Sequence, residues 1–414
     1  MRIALMTNNY KPIVGGVPIS IERLARGLEA QGHEVTIFAP TYRDEEPEEN
    51  VFRYATCMKH FIGGIVLPNP LDPRIVKEFR RKSFDIIHVH HPMLIGRTAV
   101  RLARKFHIPL VFTYHTRYEQ YASCYTKGIC KLDRIMPLYL KRFLRHCSFV
   151  FAPTEGIRQY LTGSCHVPGE RTGILPTGIE QENYRVSPEQ AREIRREYGA
   201  EDMPLLLTVS RMADEKNVTF LLESLARVKA LYKKPFRMLM VGDGPDREAL
   251  EKQSRLLGLE DNVVFTGLIP NERIAVYFKA ADAFLFASKT ETQGIVVLEA
   301  FAGATPVIAV KASGVEDLVD DGVNGILTGE DTEEYAAKVA DFLTGVWTDR
   351  AEAADGREAE HQRARYLQMS ENAFQKGTLY REEAVALKAV HYYNSVIAEN
   401  ATLKKRNIRL LPEG

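Results

Sequence analysis

The feature that most constrains this chain is a repeated alternation. Short β-branched apolar runs alternate with stretches of helical period. In the first half the runs are Ile3–Thr7, Glu34–Ala39, Asp85–His90, Leu110–His115, Phe149–Pro153 and Thr172–Leu175. In the second half they are Leu205–Ser210, Arg237–Gly242, Val263–Gly267, Ala283–Ala287, Pro306–Val310 and Gly325–Thr328. Runs of this kind with helices between them indicate buried parallel strands in βαβ units. Two such series within 414 residues, at about 150 residues per domain, predict two doubly wound α/β domains. The break is expected at the turn Pro176-Thr177-Gly178-Ile179, which places one domain at residues 1–176 and the other at 177–379. Open parallel sheets bind ligands beyond the carboxyl ends of their strands. Two facing sheets would therefore frame a cleft, and chemistry is sought at the strand ends.

The tail differs. Residues 348–407 are charged and carry no strand signal. A solvated helix is expected over Asp349–Arg365. A longer amphipathic helix is expected over Tyr380–Ala398, with Val385, Leu387, Val390, Tyr393 and Val396 among its apolar positions. Periodicity alone leaves open which domain it covers.

Composition excludes several classes. With 45% hydrophobic and 26% charged residues the chain is neither disordered, collagenous nor a coiled coil. The first residues run straight into a strand without an apolar h-region, so no secretory signal is expected. No window reaches the ~20 apolar residues that span a bilayer, and the longest apolar stretch, Ile295 to Val310, is interrupted by Glu299. The cysteines (Cys57, Cys124, Cys130, Cys147, Cys165) form no CxxC and read as reduced thiols of a cytosolic protein, with metal ligation by Cys124 and Cys130 as the alternative. Most of the histidines read as surface or packed residues.

A net charge of +1 conceals an asymmetry. Residues 1–180 carry 25 Lys+Arg against 16 Asp+Glu, whereas the remainder carries 30 against 38. Such a division hints at contact between one half and a polyanion or a membrane.

Several strand ends bear candidate functional residues. The first strand is followed by Asn8 through Val17, containing Gly15-Gly16, and then by a helix. Paired glycines admit close approach of a phosphate or sugar, and a helix start offers free N–H groups. The pattern is not G-x-G-x-x-G, which disfavours NAD. His88, His90 and His91 close the third strand and read as structural. His115, followed by Thr116 and Arg117, closes the fourth. It reads either as structural or as a cleft residue that positions a hydroxyl or moves a proton. Arg211 and Lys216 stand at the mouth of a strand, near a helix start, and together suit a diphosphate. Gly242-Asp243-Gly244 forms a tight turn after the next strand. Glu291 and Glu299 flank Gly294-Ile295-Val296, where a helix start presents backbone N–H groups. The carboxylates could bind sugar or ribose diols, form a glycosidase-like pair, or simply cap and coat a helix.

Taken in order, Gly15-Gly16, His115, Arg211 with Lys216 five residues on, Gly242-Asp243-Gly244 and Glu291 with Glu299 resemble the family 4 retaining glycosyltransferases with the GT-B fold. The run Ser288–Ala302, then Thr305-Pro306-Val307-Ile308-Ala309, Gly314-Val315-Glu316-Asp317 and Asp321–Gly325, is similar to that family's donor-domain signature. The junction Pro176-Thr177-Gly178 departs from the usual Pro-Asn-Gly, a change also found in lipid-directed members. The resemblance implies that Arg211 and Lys216 neutralise a nucleotide diphosphate and that Glu299 binds ribose. It implies that Glu291 holds the donor sugar and that Gly294, Ile295 and Val296 donate N–H groups. Gly242 would lie close to the nucleotide, Gly15 and Gly16 would close over the diphosphate, and His115 would contact the transferred sugar. It further implies that a C-terminal helix, about residues 380–414, crosses back onto the first domain. No metal or other cofactor is expected, since no Asp-x-Asp motif is present.

The acceptor of such enzymes docks on the first domain, here the basic one. Arg74–Lys82 sets Arg74, Lys77, Arg80, Arg81 and Lys82 beside Ile75, Val76 and Phe79. Arg97, Arg101, Arg104 and Lys105 follow. Lys127–Arg145 then interleaves Lys131, Arg134, Lys141, Arg142 and Arg145 with Ile129, Leu132, Ile135, Met136, Leu138, Tyr139, Leu140, Phe143 and Leu144. Basic amphipathic segments lie on anionic membranes, although each alone reads equally as a core helix with a solvated face. The resemblance is greatest to bacterial synthases that glucosylate 1,2-diacylglycerol, through Tyr114–Tyr121 and Lys289–Gly294. It implies glucose transfer from UDP-glucose to the 3-hydroxyl of 1,2-diacylglycerol by a peripheral enzyme on the inner face of the cell membrane. Rival readings are hexosyl or mannosyl transfer to phosphatidylinositol or a soluble sugar, and a nucleotide-sugar epimerase or phosphorylase of the same architecture. Nucleic-acid binding is disfavoured because no recognisable module is present.

Overall fold

The computed structural model describes residues 1–13, 15–42, 47–58, 66–118, 132–347 and 356–409, with the side chains of 132–134, 356–359 and 404–409 left aside. The chain forms two compact units. One comprises Met1–Gly178 with Glu382–Gly414, the other Ile179–Arg381. All twelve expected runs are strands.

In the first unit the strands in chain order are β1 (Arg2–Met6), β2 (Glu34–Pro40), β3 (Val51–Tyr54), β4 (Thr56–Met58), β5 (Leu67–Pro68), β6 (Ile86–Val89), β7 (Leu110–Thr113), β8 (Phe149–Ala152) and β9 (Thr172–Ile174). Seven form one sheet in the order β3-β2-β1-β6-β7-β8-β9, and its pairings are parallel. β4 and β5 pair separately and antiparallel. β1 is buried on both faces: Ala4 and Met6 enter one core, Ile3 and Leu5 the other. Two-sided burial is why such strands are continuous apolar runs rather than alternating ones. β3 departs from this. It is a half-buried edge strand containing Arg53, and the apolar-run criterion passes over it.

The order reverses between β1 and β6, so the crevice for a ligand lies at their carboxyl ends. The terminal helix Glu382–Arg409 belongs to this unit. It buries Val385, Ala386, Ala389, Tyr393 and Val396 against the core that holds Ile3 and Leu5. Leu387, expected on the apolar face, is 60% exposed. Glu382 joins Arg26 at 2.9 Å, and the Tyr393 hydroxyl meets His88 Nδ1 at 2.6 Å.

The second unit has β10 (Leu205–Val209), β11 (Arg237–Val241), β12 (Val263–Gly267), β13 (Ala283–Phe286), β14 (Val307–Val310) and β15 (Gly325–Thr328). Its parallel sheet runs β12-β11-β10-β13-β14-β15, with the reversal between β10 and β13. Leu206 packs into one core, Leu205 and Leu207 into the other. A helix runs from Gly356 to Thr378, and residues 349–355 of the expected solvated helix lie outside the described set.

Among the described residues no helix is long and apolar enough to cross a membrane. The apolar stripe of the basic segment Arg74–Lys82 is not an open surface: Ile75 and Phe79 are core residues, with Val76 packed against them. Three of its cations are paired: Arg74 with Asp72 and Arg81 with Glu78, both at 2.6 Å, and Lys82 with Glu34 at 3.9 Å and Glu78 at 4.0 Å. Exposed apolar residues lie elsewhere, among them Leu71 (66%), Ile135 (58%) and Leu138 (70%).

Candidate active site

In each unit the candidate residues gather in the loops at the carboxyl ends of the central strands, at or beside the point where the strand order reverses. In the second unit the loops after β10 and β13 meet. After β10 the chain passes Arg211, makes a turn over Asp214–Lys216 and enters the helix Val218–Tyr232 through Asn217, at a φ of 56°. After β13 it crosses Ser288–Gln293 and starts the helix Ile295–Ala302 at Gly294, at a φ of 73°. Lys216 Nζ donates to Glu291 Oε1 at 2.5 Å, and Ser288 Oγ donates to the same oxygen at 2.9 Å. Both charged side chains are about one-fifth exposed. Arg211 is half exposed and pairs with Glu215. Burial opposes the charge on Glu215, but its hydrogen bond from Arg211 and the nearby Lys216 hold the carboxyl below the usual range.

The helix Ile295–Ala302 has no side-chain cap. The N–H groups of Ile295 and Val296 therefore precede the helical ladder, and the helix dipole favours an anion there. Glu299 lies on the same helix and is buried. Two backbone approaches fix the loops. Gly242 has a φ of 131°, and a Cβ there would lie 2.0 Å from the Ser210 carbonyl oxygen. Gly314 has a φ of 82°, and a Cβ would lie 2.8 Å from both Gln293 N and Glu291 O. The turn after β11 is thus pressed on the end of β10, and Gly314 on the loop that carries Glu291. At the rim Lys289 and Asn217 both donate to Glu330, at 2.6 and 3.1 Å.

In the first unit Gly15 caps the helix Gly16–Ala30 without a side-chain bond. Pro18 brings no N–H to the first turn, so its donors are Gly16 and Val17. The loop after β1 is tied to the loop after β6. Asn8 Nδ2 donates to Met93 O at 3.1 Å, Ile95 N donates to Asn8 Oδ1 at 3.1 Å, and Asn8 N donates to His91 Nδ1 at 3.2 Å. His115, at the end of β7, meets His90: its Nε2 lies 2.8 Å from His90 Nδ1, with the rings stacked at 5.1 Å. His90 also stacks on His88 at 4.3 Å, and His88 Nε2 lies 2.7 Å from Thr113 Oγ1. Burial pushes His115 down to about 3, with His91 adding to the effect, and His91 itself to about 4. Burial, then neighbouring histidines, hold His88 and His90 well below the usual range. All four rings are neutral at pH 7.

The structure therefore brings Arg211, Lys216, Glu291, Gly294, Ile295, Val296, Glu299 and Gly242 to one sheet crevice, and Gly15, Gly16 and His115 to the loop ends of the other sheet. Sequence reasoning passed over Ser288, Glu215 and Gly314. Gly314 had a signal, its place in the Gly314–Asp317 run. The bonds of Ser288 and Glu215 had none. Of the basic and aromatic segments, residues 119–131 lie outside the described set, including Cys124, Cys130, Lys127 and Lys131. Among the described residues Cys57, Cys147 and Cys165 form no disulfide. Among the described residues no group of three or more His, Cys, Asp or Glu is arranged to hold a metal.

In the second unit a Lys216–Glu291 pair, an uncapped helix start and the buried Glu299 thus gather beside the strand-order reversal, an arrangement suited to an anionic ligand that also carries hydroxyl groups. The family model described as Glycosyltransferase Family 4 matches residues 14–183, and that described as Glycosyl transferases group 1 matches residues 190–358. The chain belongs to the family 4 glycosyltransferases, has the GT-B fold, and as an enzyme is a hexosyltransferase. It is similar to the alpha-monoglucosyldiacylglycerol synthase of Streptococcus pneumoniae, 34% identical over 339 residues, covering 79% of this chain and 75% of the relative. It is also similar to the GDP-mannose-dependent alpha-mannosyltransferase of Corynebacterium glutamicum, 27% identical over 348 residues, covering 79% and 76%. The crystal structure of Anabaena HepE in complex with UDP matches with a TM-score of 0.72 at 19% identity, over 95% of this chain and all of that one.

Proposed function

We propose that this enzyme transfers glucose from UDP-glucose to the 3-hydroxyl of 1,2-diacylglycerol, with retention at the anomeric carbon, at an anionic membrane surface. The observation that carries the donor half is the Lys216–Glu291 pair at 2.5 Å beside the uncapped start of Ile295–Ala302. Lys216 and Arg211 neutralise the diphosphate, with N–H groups of Gly294, Ile295 and Val296 on its oxygens. Glu299 accepts from the ribose diol, Glu291 from the sugar, and the turn at Gly242 admits the nucleotide closely. Gly15 and Gly16 serve the diphosphate from the first unit, which acts as the acceptor domain, and His115 contacts the transferred sugar. The second unit is the nucleotide-sugar domain.

Retention follows from front-face substitution. The bond from anomeric carbon to phosphate oxygen breaks as that carbon bonds to the acceptor oxygen. The departing phosphate oxygen takes the acceptor's proton, and nucleoside diphosphate leaves. The growing negative charge falls on Arg211, Lys216 and the helix N–H groups, which are positioned before the reaction begins.

The choice of glucose and diacylglycerol is supported by the likeness to a relative named a monoglucosyldiacylglycerol synthase. Membrane contact is supported by Ile135 and Leu138, 58% and 70% exposed and three residues apart on one helix, with Lys141 and Arg142 following. The enzyme then works as a peripheral protein on the cytoplasmic face. The likeness to a mannosyltransferase supports the second reading, mannosyl transfer. Incubation of the protein with radiolabelled UDP-glucose and vesicles containing diacylglycerol tests the proposal. Label moving to the lipid phase is expected, and label moving only to soluble sugars contradicts it.

A further inference from the structure

His90 is 1% exposed, and its Nε2 has no hydrogen-bond partner among the described residues. A buried ring nitrogen left without a partner is costly, so its surroundings need an account. His90 lines a small cavity together with Arg23, Ser20, Thr113 and Thr177. The cavity measures about 10 Å³, the size that admits a single water, and its lining is polar enough to hold one.

The neighbouring bonds give this site a direction. Burial raises the Tyr393 hydroxyl far above its usual range, so it stays protonated and can donate to His88 Nδ1. His88 Nε2–H then donates to Thr113 Oγ1, which frees the Thr113 proton for the cavity. Arg23 is buried and is a donor at every nitrogen. A water that accepts from Thr113 and Arg23 has its own protons to give, and His90 Nε2 is an acceptor for one of them. His90 then carries its proton on Nδ1, which faces His115 Nε2 at 2.8 Å.

We propose that His90 is a positioning residue for His115: a cavity water donates to His90 Nε2, His90 Nδ1–H donates to His115 Nε2, and His115 is thereby held as the Nδ1–H tautomer. This inference rests on the reading of His115 as a contact to the transferred sugar. The tautomer decides whether that ring donates or accepts at Nδ1. The chain of bonds also links the terminal helix, through Tyr393, to the end of β7.

The test is nitrogen NMR of the histidine rings in protein labelled with ¹⁵N-histidine, combined with kinetics. The wild type is expected to show His115 as Nδ1–H. His90→Phe is expected to shift His115 towards Nε2–H and to lower kcat on the order of tenfold, with donor KM within about twofold. His90→Asn, which places an amide N–H where Nδ1 stood, is expected to restore the His115 signal and most of kcat. If His90→Phe fails to fold, as judged by near-UV circular dichroism, His90→Asn and Thr113→Val carry the test, the latter loosening the tautomer. An Nε2–H tautomer at His115 in the wild type overturns the inference, as do unchanged His115 signals in His90→Phe. Should His115→Ala retain full turnover while the tautomer responds to His90, the positioning stands and the sugar-contact reading fails.

Discussion

Lys216 and Glu291 lie 75 residues apart in the chain and 2.5 Å apart in the fold. They meet because β10 and β13 are neighbours in the sheet and the strand order turns back on itself between them. If Lys216 serves a diphosphate and Glu291 the sugar, the pair is a single unit that the donor divides. Lys216→Ala and Glu291→Gln are each expected to lower kcat/KM by about 10²–10³-fold. The double variant is expected to fall little further, because residues acting as a unit are not additive. Steady-state rates of nucleoside diphosphate release measure this. Near-normal turnover in either single variant contradicts the assignment.

Gly242→Ala sets a Cβ at a φ of 131°, 2.0 Å from a backbone oxygen. Neither the backbone nor Ser210 can give way cheaply. We expect a loss of at least ~2 kcal/mol of stability in urea unfolding, with weaker binding of the nucleotide measured calorimetrically. Gly322→Ala is the comparison: its φ is 73°, with nothing near the added carbon, so it should show the dihedral cost without the clash.

The buried histidines set a pH dependence of stability. His88 and His90 have pKa values lowered in the fold, so the unfolded chain binds protons that the native rings refuse. Their contribution is fully present above the unfolded value near 6.5 and is lost as pH falls below it. His91 and His115, at about 4 and about 3, act in the same direction, and at pH 5 each of these two is expected to cost about 2 kcal/mol relative to pH 7.5. Urea midpoints at the two pH values check this. His90→Asn should reduce the drop by about one histidine's share, and a stability independent of pH over this range contradicts the account.

Membrane contact gives a separate expectation. Ile135→Ser with Leu138→Ser should weaken flotation with vesicles rich in anionic lipid by about 2–4 kcal/mol, the order of two exposed apolar side chains. Lys141→Glu with Arg142→Glu should weaken it by roughly 1 kcal/mol per cation removed, more at low salt. Unchanged flotation in both double variants would remove this helix from the membrane proposal.

Much of the architecture was legible because a two-sided parallel sheet demands strands such as Ile3–Met6, apolar throughout, and Leu205–Val209, apolar but for Thr208. Val51–Tyr54 carries no such signal because an edge strand is half exposed and tolerates Arg53. The stripe of Ile75, Val76 and Phe79 suited a membrane or a core equally, and only packing decided for the core. Leu387 shared its helical period with buried residues yet faces outward. At the site, Arg211, Lys216, Glu291 and Glu299 were readable as charges at strand mouths. Their pairing was not, because it depends on strand order. His90 read as structural for the same reason: its bond to His115 joins the ends of two adjacent strands.

The most direct test of the central claim is a matrix of UDP- and GDP-sugars against diacylglycerol, phosphatidylinositol and soluble sugars, with the anomeric configuration of each product read by NMR. The account predicts one dominant product, an α-linked glucosyl lipid formed from UDP-glucose and diacylglycerol. A β-linked product contradicts retention, and exclusive transfer to a water-soluble acceptor contradicts the lipid reading.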